Sequence, residues 1–147
     1  MLEILSDLNR SNRMVKVATD GVIASGVNGT WVTLNASDEA AFPTGATRLA
    51  FPIWTESRRD GTVGWTPDVA ASGNKVTIMD SYLRALTDQV TSYATLALGD
   101  MLTVGTDGKL VVTTDAAEKV AIVMKKHDSF VGVSTTFTNC IEFTTGR

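Results

Sequence analysis

One stretch constrains the fold more than any other. Residues 99–114 contain two extended runs on either side of Asp107-Gly108, a dipeptide that tolerates the positive φ angles of a two-residue hairpin turn. Each face of such a hairpin keeps apolar residues, so we expect both faces to be covered, by the rest of the domain or by a neighbouring subunit. The predicted facing pairs are Thr106/Lys109, Val104/Val111 and Leu102/Thr113 on one side, and Gly105/Leu110 and Thr103/Val112 on the other.

Turn signals recur along most of the chain, with short runs rich in β-branched residues between them. This pattern predicts a mostly-β fold, a small antiparallel β-sandwich or barrel, as a single β-rich domain over residues 14–147. Residues 35–45 are interpreted as a loop. Pro52 lacks a backbone N–H, which places its strand at a sheet edge or a bulge. The predicted strands cover residues 15–17, 30–34, 48–55, 62–66, 75–79, 120–124, 130–133 and 137–143.

The periodicity of two further segments includes helical spacing. Residues 1–13 form an N-terminal arm in which Leu2, Leu5 and Leu8 recur at three-residue spacing, enough for two short helical turns. A helix this short is unstable alone, so we expect the arm to dock on its own domain or on a neighbour. Residues 80–90 fit either a helical face or a continued extended run, and we favour the strand.

The composition excludes several classes of protein. A hydrophobic content of 44% is typical of a globular chain, and the net charge of −3 comes without a basic stripe for nucleic acid. We interpret Arg58-Arg59 and Lys125-Lys126 as solvated turn charges. No apolar run approaches the ~20 residues of a membrane span, and the N-terminus does not resemble a signal peptide, so we expect a protein used without secretion.

Few residues suggest chemistry. His127 is the sole histidine and Cys140 the sole cysteine, which excludes a multi-histidine metal site and an internal disulfide. His127-Asp128-Ser129 contains the residue types of a catalytic triad, but adjacent side chains cannot line up as one, and we interpret the segment as a turn. A Cys140/His127 pair is conceivable in space, although structural roles are favoured. We expect Trp31, Trp54 and Trp65 to pack in the core, and we predict no catalytic residues, no cofactor and no metal.

Two segments, Leu49 to Asp68 and Leu98 to Leu110, resemble the small capsid decoration (cement) proteins of tailed bacteriophages. Those proteins often carry a Gly-Asp-x-Leu-x-Val … Asp-Gly-Lys-Leu hairpin, which here begins at Gly99 and ends at Leu110. The resemblance covers about the last two thirds of the chain, and residues 1–45 have no counterpart.

The resemblance implies a non-enzymatic virion protein on the outer surface of an icosahedral head, assembled in the host cytoplasm. It also implies that the protein bridges major capsid protein subunits and self-associates as a dimer or trimer, without binding nucleic acid or membrane. Separately from the resemblance, we hypothesise that the arm and exposed strand edges lie against neighbouring subunits. The residues of the arm that would make this contact are Leu2, Ile4, Leu5 and Leu8. Deleting residues 1–12 should then lower occupancy on expanded capsids.

Two alternatives remain open at this stage. A head-fibre or tail component is also a virion protein, but it is present in few copies. A cellular β-barrel that binds a small ligand or sugar would instead enclose an apolar pocket with a few convergent polar groups.

Overall fold

The computed structural model describes residues 2–7, 12–18, 29–45, 47, 49–53, 75–80, 82–132 and 136–145. Within these ranges the chain forms eleven β-strands in two sheets and a single turn of 3₁₀ helix, Tyr93–Thr95. Both sheets curl into half-barrels, and the prediction of a mostly-β sandwich or barrel is confirmed.

The larger sheet has six strands in the order β1-β7-β11-β10-β8-β9, and every neighbouring pair is antiparallel. Its strands are β1 (Leu2–Asp7), β7 (Leu83–Thr87), β8 (Met101–Val104), β9 (Leu110–Val112), β10 (Ala121–Val131) and β11 (Thr136–Thr145). The long β10–β11 pair runs through the middle of this sheet and extends beyond it. β1 and β9 are the two outermost strands of the described sheet.

The smaller sheet has five strands in the order β5-β3-β4-β2-β6. Its strands are β2 (Asn12–Val17), β3 (Trp31–Leu34), β4 (Glu39–Ala41), β5 (Ala50–Pro52) and β6 (Lys75–Met79). β2 and β4 are parallel, an exception to the predicted antiparallel pattern. An isolated bridge between Ile53 and Ile78 connects the two outer strands, so the curled sheet nearly closes on itself.

Two main hydrophobic cores hold the sheets together. The first lies between them and joins residues of the six-stranded sheet, such as Phe143 and Leu102, to Trp31, Ala50 and Met79 from the five-stranded sheet. The second fills the five-stranded half-barrel with side chains from all five of its strands and from Ile53. β3 contributes to both cores because its successive side chains point to opposite faces.

The helical turns predicted for the N-terminal arm are wrong. Residues 2–7 form β1, which pairs with β7 from Leu2↔Thr87 to Asp7↔Leu83. An isolated helix of two turns gains few hydrogen bonds for the residues it fixes, whereas the exposed edge of β7 offers a backbone partner along the whole segment. The leucine spacing therefore did not reveal the conformation, because a partner far along the chain decided it.

Of the other predictions about strands and loops, some are confirmed and some are wrong. Residues 83–87 are extended, as favoured, and Pro52 lies on the edge strand β5, as predicted. The 35–45 loop contains the short strand β4, which pairs with β2 and β3. The turns predicted at Lys125-Lys126 and at residues 127–129 are wrong, because β10 continues to Val131.

The 99–114 hairpin forms, but its register differs by one residue from the prediction. Its pairs are Leu102↔Val112, Thr103↔Val111 and Val104↔Leu110. The Gly105 N–H donates to the Lys109 carbonyl at 2.8 Å, leaving a three-residue loop. The two-residue turn would need positive φ at both central residues, but only Gly108 adopts it, at +74°. In the observed register Val104 lies opposite Leu110 and both are fully buried, whereas Val112 opposite the buried Leu102 is 43% exposed.

The hairpin tip packs directly against the smaller sheet. The Trp31 N–H donates to the Gly108 carbonyl at 2.8 Å. A Cβ atom added at Gly108 would lie 2.7 Å from Thr30 Cγ2 and 2.9 Å from the Trp31 carbonyl. Glycine at this position therefore permits both the left-handed turn and the close approach of the two sheets.

Candidate functional site

The structure separates the four residues predicted for a subunit interface. Leu2 is buried in the first core, and Ile4 packs against that core from a partly buried position. Leu5 is 37% exposed and lies where the register shifts between Ile4 and Ser6. Leu8 lies outside the described residues. Among the described members of this set, Leu5 is the side chain best placed to meet another molecule.

A second feature is the outer part of the β10–β11 pair, residues 127–131 and 136–140, which we call the ribbon. β8 pairs with β10 only at residues 121–122, and β7 pairs with β11 only at residues 141–144. No third described strand flanks the ribbon itself, and Val131 near its end is 79% exposed. Among the described strands, the ribbon therefore extends beyond its neighbours as a two-stranded segment.

Side chains at the base of the ribbon form a charged group, the Glu142 cluster, made of Arg84, His127 and Glu142. Glu142 lies on β11 between β7 and β10, so its carboxylate reaches a neighbour on each side. Oε2 accepts from Arg84 Nη2 at 2.5 Å, and Oε1 lies 2.8 Å from His127 Nε2. Because an ionised carboxylate only accepts hydrogen bonds, the His127 tautomer that fits carries its proton on Nε2. The Glu142 cluster therefore ties three adjacent strands together.

The electrostatics of the Glu142 cluster follow from burial and pairing. Glu142 is 6% exposed. Burial alone would raise the pKa of its carboxyl group, but the hydrogen bonds and charges of Arg84 and His127 outweigh burial and lower that pKa. Charge-assisted hydrogen bonds of this kind are stronger than neutral ones. The carboxylate is therefore held in its ionised form.

The opposite side of the ribbon base is held by the segment after β7. Lys126 Nζ donates to the Leu96 carbonyl at 2.7 Å and lies 4.6 Å from the centroid of the Tyr93 ring. The Tyr93 hydroxyl donates to Asp128 Oδ1 at 3.0 Å. Burial and the adjacent Asp128 carboxylate raise the pKa of Tyr93, so the phenol stays protonated as a donor. Lys126 and Asp128, adjacent to the histidine in sequence, thus bind the chain's own connecting segment.

A small apolar cluster completes the base of the ribbon. It contains Leu86, Phe137 and Cys140, all buried, with Phe130 packed against them. Phe137 and Cys140 are three residues apart and would face opposite sides of a regular strand. Asn139 between them has φ of +51°, a left-handed conformation that brings both side chains into the same cluster.

The structure brings His127 and Cys140 directly opposite each other, but not as a nucleophile and base. Cys140 Sγ points to the His127 carbonyl oxygen at 3.8 Å, while the imidazole Nε2 is used by Glu142. Burial is the largest effect on the Cys140 thiol and raises its pKa, which disfavours the reactive thiolate. The predicted packing role of Cys140 in a strand agrees with this position.

Nor do the adjacent residues 127–129 form a triad. Asp128 binds Tyr93, and Ser129 pairs across the ribbon with Thr138. Sequence reasoning missed Glu142 as the partner of His127, and Arg84 as the second partner of Glu142. A signal did exist, because Glu142 is a lone acid within the otherwise uncharged strand 136–145. A charge in that position is buried only when it is paired.

A direct test of the Cys140 environment is its reaction with a thiol-alkylating reagent. In the native protein we expect alkylation at least about a hundredfold slower than in denaturant, because the reagent reaches the sulfur only through local opening of β10 and β11. The control is a Cys140→Ala, Thr138→Cys variant, whose thiol is at an exposed position and should react quickly while the protein is folded. Equal rates for the native wild type and this variant would contradict the buried placement.

The predicted core position of Trp31 is observed, whereas Trp54 and Trp65 lie outside the described residues. Among the described side chains, no group of three or more His, Cys, Asp or Glu lies together in a way that could hold a metal ion. No helix in the described ranges has the length and apolar character of a membrane span. No family model, curated protein or solved structure matches the chain.

Proposed function

We propose that this chain is a capsid decoration protein of a tailed bacteriophage. In this role it is a non-enzymatic virion protein that binds the outer surface of the icosahedral head and bridges and stabilises major capsid protein subunits. The proposal is supported by the resemblance of residues 49–68 and 98–110 to such proteins. The second of these segments contains the β8–β9 hairpin, whose tip is hydrogen-bonded to Trp31 of β3.

The single observation that carries the proposal beyond resemblance is the position of β1. It is an outer strand of the described six-stranded sheet, anchored through Leu2 in the core, and it carries the partly exposed Leu5 side chain at an irregularity in the ladder. Burying an exposed apolar side chain of a strand fixed in this way favours contact with a neighbouring protein. We assign that contact to a major capsid protein subunit.

The physics of such a role does not require a tight individual contact. A protein that binds only the assembled shell stabilises it by mass action. Contacts with several capsid subunits at once raise the overall affinity through effective concentration. Self-association as a dimer or trimer, which also belongs to the proposal, would multiply these contacts further.

Electron microscopy of heads from the source phage, with the protein native or added back, tests the proposal. We expect density on the outer surface between capsid subunits, with hundreds of copies per head. A few copies at a single vertex would instead favour a head-fibre or tail component. Absence from heads, together with a bound small ligand or sugar, would overturn the proposal in favour of a ligand-binding β-barrel.

A charge at Leu5 tests the contribution of β1. Because Leu5 is partly exposed, Leu5→Glu should change the free energy of unfolding by no more than about 0.5 kcal/mol. It should lower occupancy on expanded heads about tenfold or more, since it puts an unpaired charge into the contact. The measurement is co-sedimentation with heads that lack the native protein, quantified against folded protein.

Leu98→Glu is the matched control, because Leu98 is 67% exposed on the connecting segment before β8, away from β1. It should leave occupancy unchanged. Equal binding by the two variants would remove β1 from the interface. Deleting residues 1–12 is a poorer test than it seemed from the sequence, because it also removes β1 from its pairing with β7 and Leu2 from the core.

A further inference from the structure

The ribbon requires support from outside its own two strands. An isolated two-stranded hairpin is only marginally stable in water, and no third described strand flanks residues 127–131 and 136–140. Its base is held on one side by Lys126 and Asp128, and on the other by the Glu142 cluster together with the apolar cluster around Leu86 of β7. In the Glu142 cluster one carboxylate serves two donors, so the loss of a single charge affects both contacts together.

We propose that the Glu142 cluster is an acid-sensitive lock: it holds the ribbon on the six-stranded sheet while Glu142 is ionised, and it releases the ribbon when Glu142 is protonated. The lock is a property of this fold and does not depend on what the protein binds. Its moving part is the ribbon, and the rest of the six-stranded sheet stays folded.

The charges around Glu142 favour release of the ribbon, and not only a weaker contact, when Glu142 is protonated. When Glu142 is protonated it no longer compensates the Arg84 guanidinium, and His127 loses the ionised acceptor of its hydrogen bond. Lys125 faces Glu142 across the β10–β11 pair and adds a second positive charge. The remaining titratable groups around the cluster are Cys140 on β11, Asp88 after β7 and Glu3 on β1, which lies across β7 in the row of Leu86.

Burial raises the pKa of the Cys140 thiol, which is therefore neutral in acid and does not replace the charge of Glu142. On the other side of the ribbon, Lys126 and Asp128 are occupied by Leu96 and Tyr93. Protonation of Glu142 thus leaves the half-exposed Arg84 guanidinium and the exposed Lys125 ammonium beside a carboxyl group that no longer compensates them, which like-charge repulsion disfavours.

The direction of the pH dependence follows from linkage. The folded-state pKa of Glu142 lies below its ordinary value of 4.5. A carboxyl group with a lowered folded-state pKa contributes stability that is fully present above the ordinary value and is lost as the pH falls through the folded-state value. The ribbon should therefore be locked at neutral pH, and the lock should be lost in acid as the pH falls from the ordinary value of the carboxyl group through its lower folded-state pKa.

Amide hydrogen exchange of the full chain tests the lock. After correction for intrinsic rates, ribbon amides should exchange about 10- to 100-fold faster at about pH 3 than at about pH 6, the change expected for losing charge-assisted hydrogen bonds. Amides of β8, which lies in the first core, should keep their protection. Unchanged ribbon exchange, or simultaneous loss of protection in β8 and the ribbon, would overturn the proposal.

Glu142→Gln removes the charge with little change in shape. We expect its ribbon to exchange at neutral pH as fast as the wild-type ribbon does in acid, with little further pH dependence. The matched control is Asp38→Asn, which removes an exposed carboxylate 2.9 Å from Arg13 in the other sheet and should leave ribbon exchange unchanged. A Glu142→Gln ribbon that behaves as the wild type at both pH values would contradict the lock.

His127→Gln keeps a hydrogen-bond donor for Glu142 and leaves the Arg84–Glu142 pair in place, and it decides the matter if Glu142→Gln does not fold. Its ribbon should stay protected at neutral pH and be released in acid as the wild-type ribbon is. The chain has one histidine, so the wild-type imidazole gives one resolved NMR signal, which should shift as Glu142 titrates. Absence of acid release in His127→Gln would exclude Glu142 as the group that controls the lock.

Discussion

Replacing Trp31 with alanine is expected to lower the free energy of unfolding by about 3–5 kcal/mol, the usual cost of removing a fully buried aromatic side chain. Trp31 is 1% exposed and lies in the first core, where its ring centroid is 5.9 Å from that of Phe143 at an interplanar angle of 55°. The cavity would open between the two sheets, where neither sheet can collapse to fill it. Urea denaturation followed by circular dichroism, with the slope checked for two-state behaviour, measures the change.

Trp31→Phe is the control for the shape of this site. It keeps an aromatic ring against Phe143 and removes an indole N–H that has no hydrogen-bond partner in the described structure. Burying that N–H already costs free energy, so its loss offsets part of the lost packing. We expect a decrease of less than about 2 kcal/mol. If the two variants lost the same stability, the aromatic contact with Phe143 would not be the stabilising feature.

Gly108→Ala should lower the free energy of unfolding by about 2–4 kcal/mol, the sum of a left-handed backbone cost and a steric clash. Gly108 has φ of +74°, and the new methyl group would lie 2.7 Å from Thr30 Cγ2 and 2.9 Å from the Trp31 carbonyl. The carbonyl belongs to the backbone of β3 and cannot rotate away. The hairpin tip and β3 would have to separate, which weakens the hydrogen bond from Trp31 to Gly108.

Two other glycines separate the contributions. Gly99 has φ of +86° but nothing within 4 Å of an added Cβ atom, so Gly99→Ala should cost only the backbone term of about 1–2 kcal/mol. Gly45 has open space and no positive φ, and Gly45→Ala should be neutral or stabilising by up to about 1 kcal/mol. Thermal or urea denaturation of the three variants gives the comparison. A Gly108→Ala cost no larger than that of Gly99→Ala would argue against the close contact between hairpin and β3.

Local patterns predicted most strands correctly for a simple reason. Turn-forming dipeptides and β-branched runs act over a few residues, so the positions of β2, β3, β6 and the 99–114 hairpin follow from nearby sequence. The same reasoning predicted a pairing register for that hairpin that is wrong by one residue. In the three-residue loop Gly108 adopts a left-handed conformation and its carbonyl reaches Trp31 of β3, a contact that no local pattern reveals.

The candidate site was harder to predict than the strands. His127 was visible as the only histidine, but its partner Glu142 lies 15 positions further along the chain, and Arg84, which also binds Glu142, lies 58 positions before Glu142. They meet because β7, β11 and β10 are neighbours in the sheet, and strand order is not encoded in any local pattern. The register shift between Val123 and Lys125 adds a displacement that periodicity cannot predict.

The amino-acid order alone was sufficient to predict a mostly-β chain with a central hairpin and an edge strand at Pro52, because those features depend on backbone preferences of neighbouring residues. Tertiary structure decided that the N-terminal arm is a strand, that Leu2 is buried while Leu5 is exposed, and that Glu142 joins three strands. Each of those outcomes depends on free energy gained between residues distant in the chain, through backbone pairing for β1 and charge pairing for Glu142.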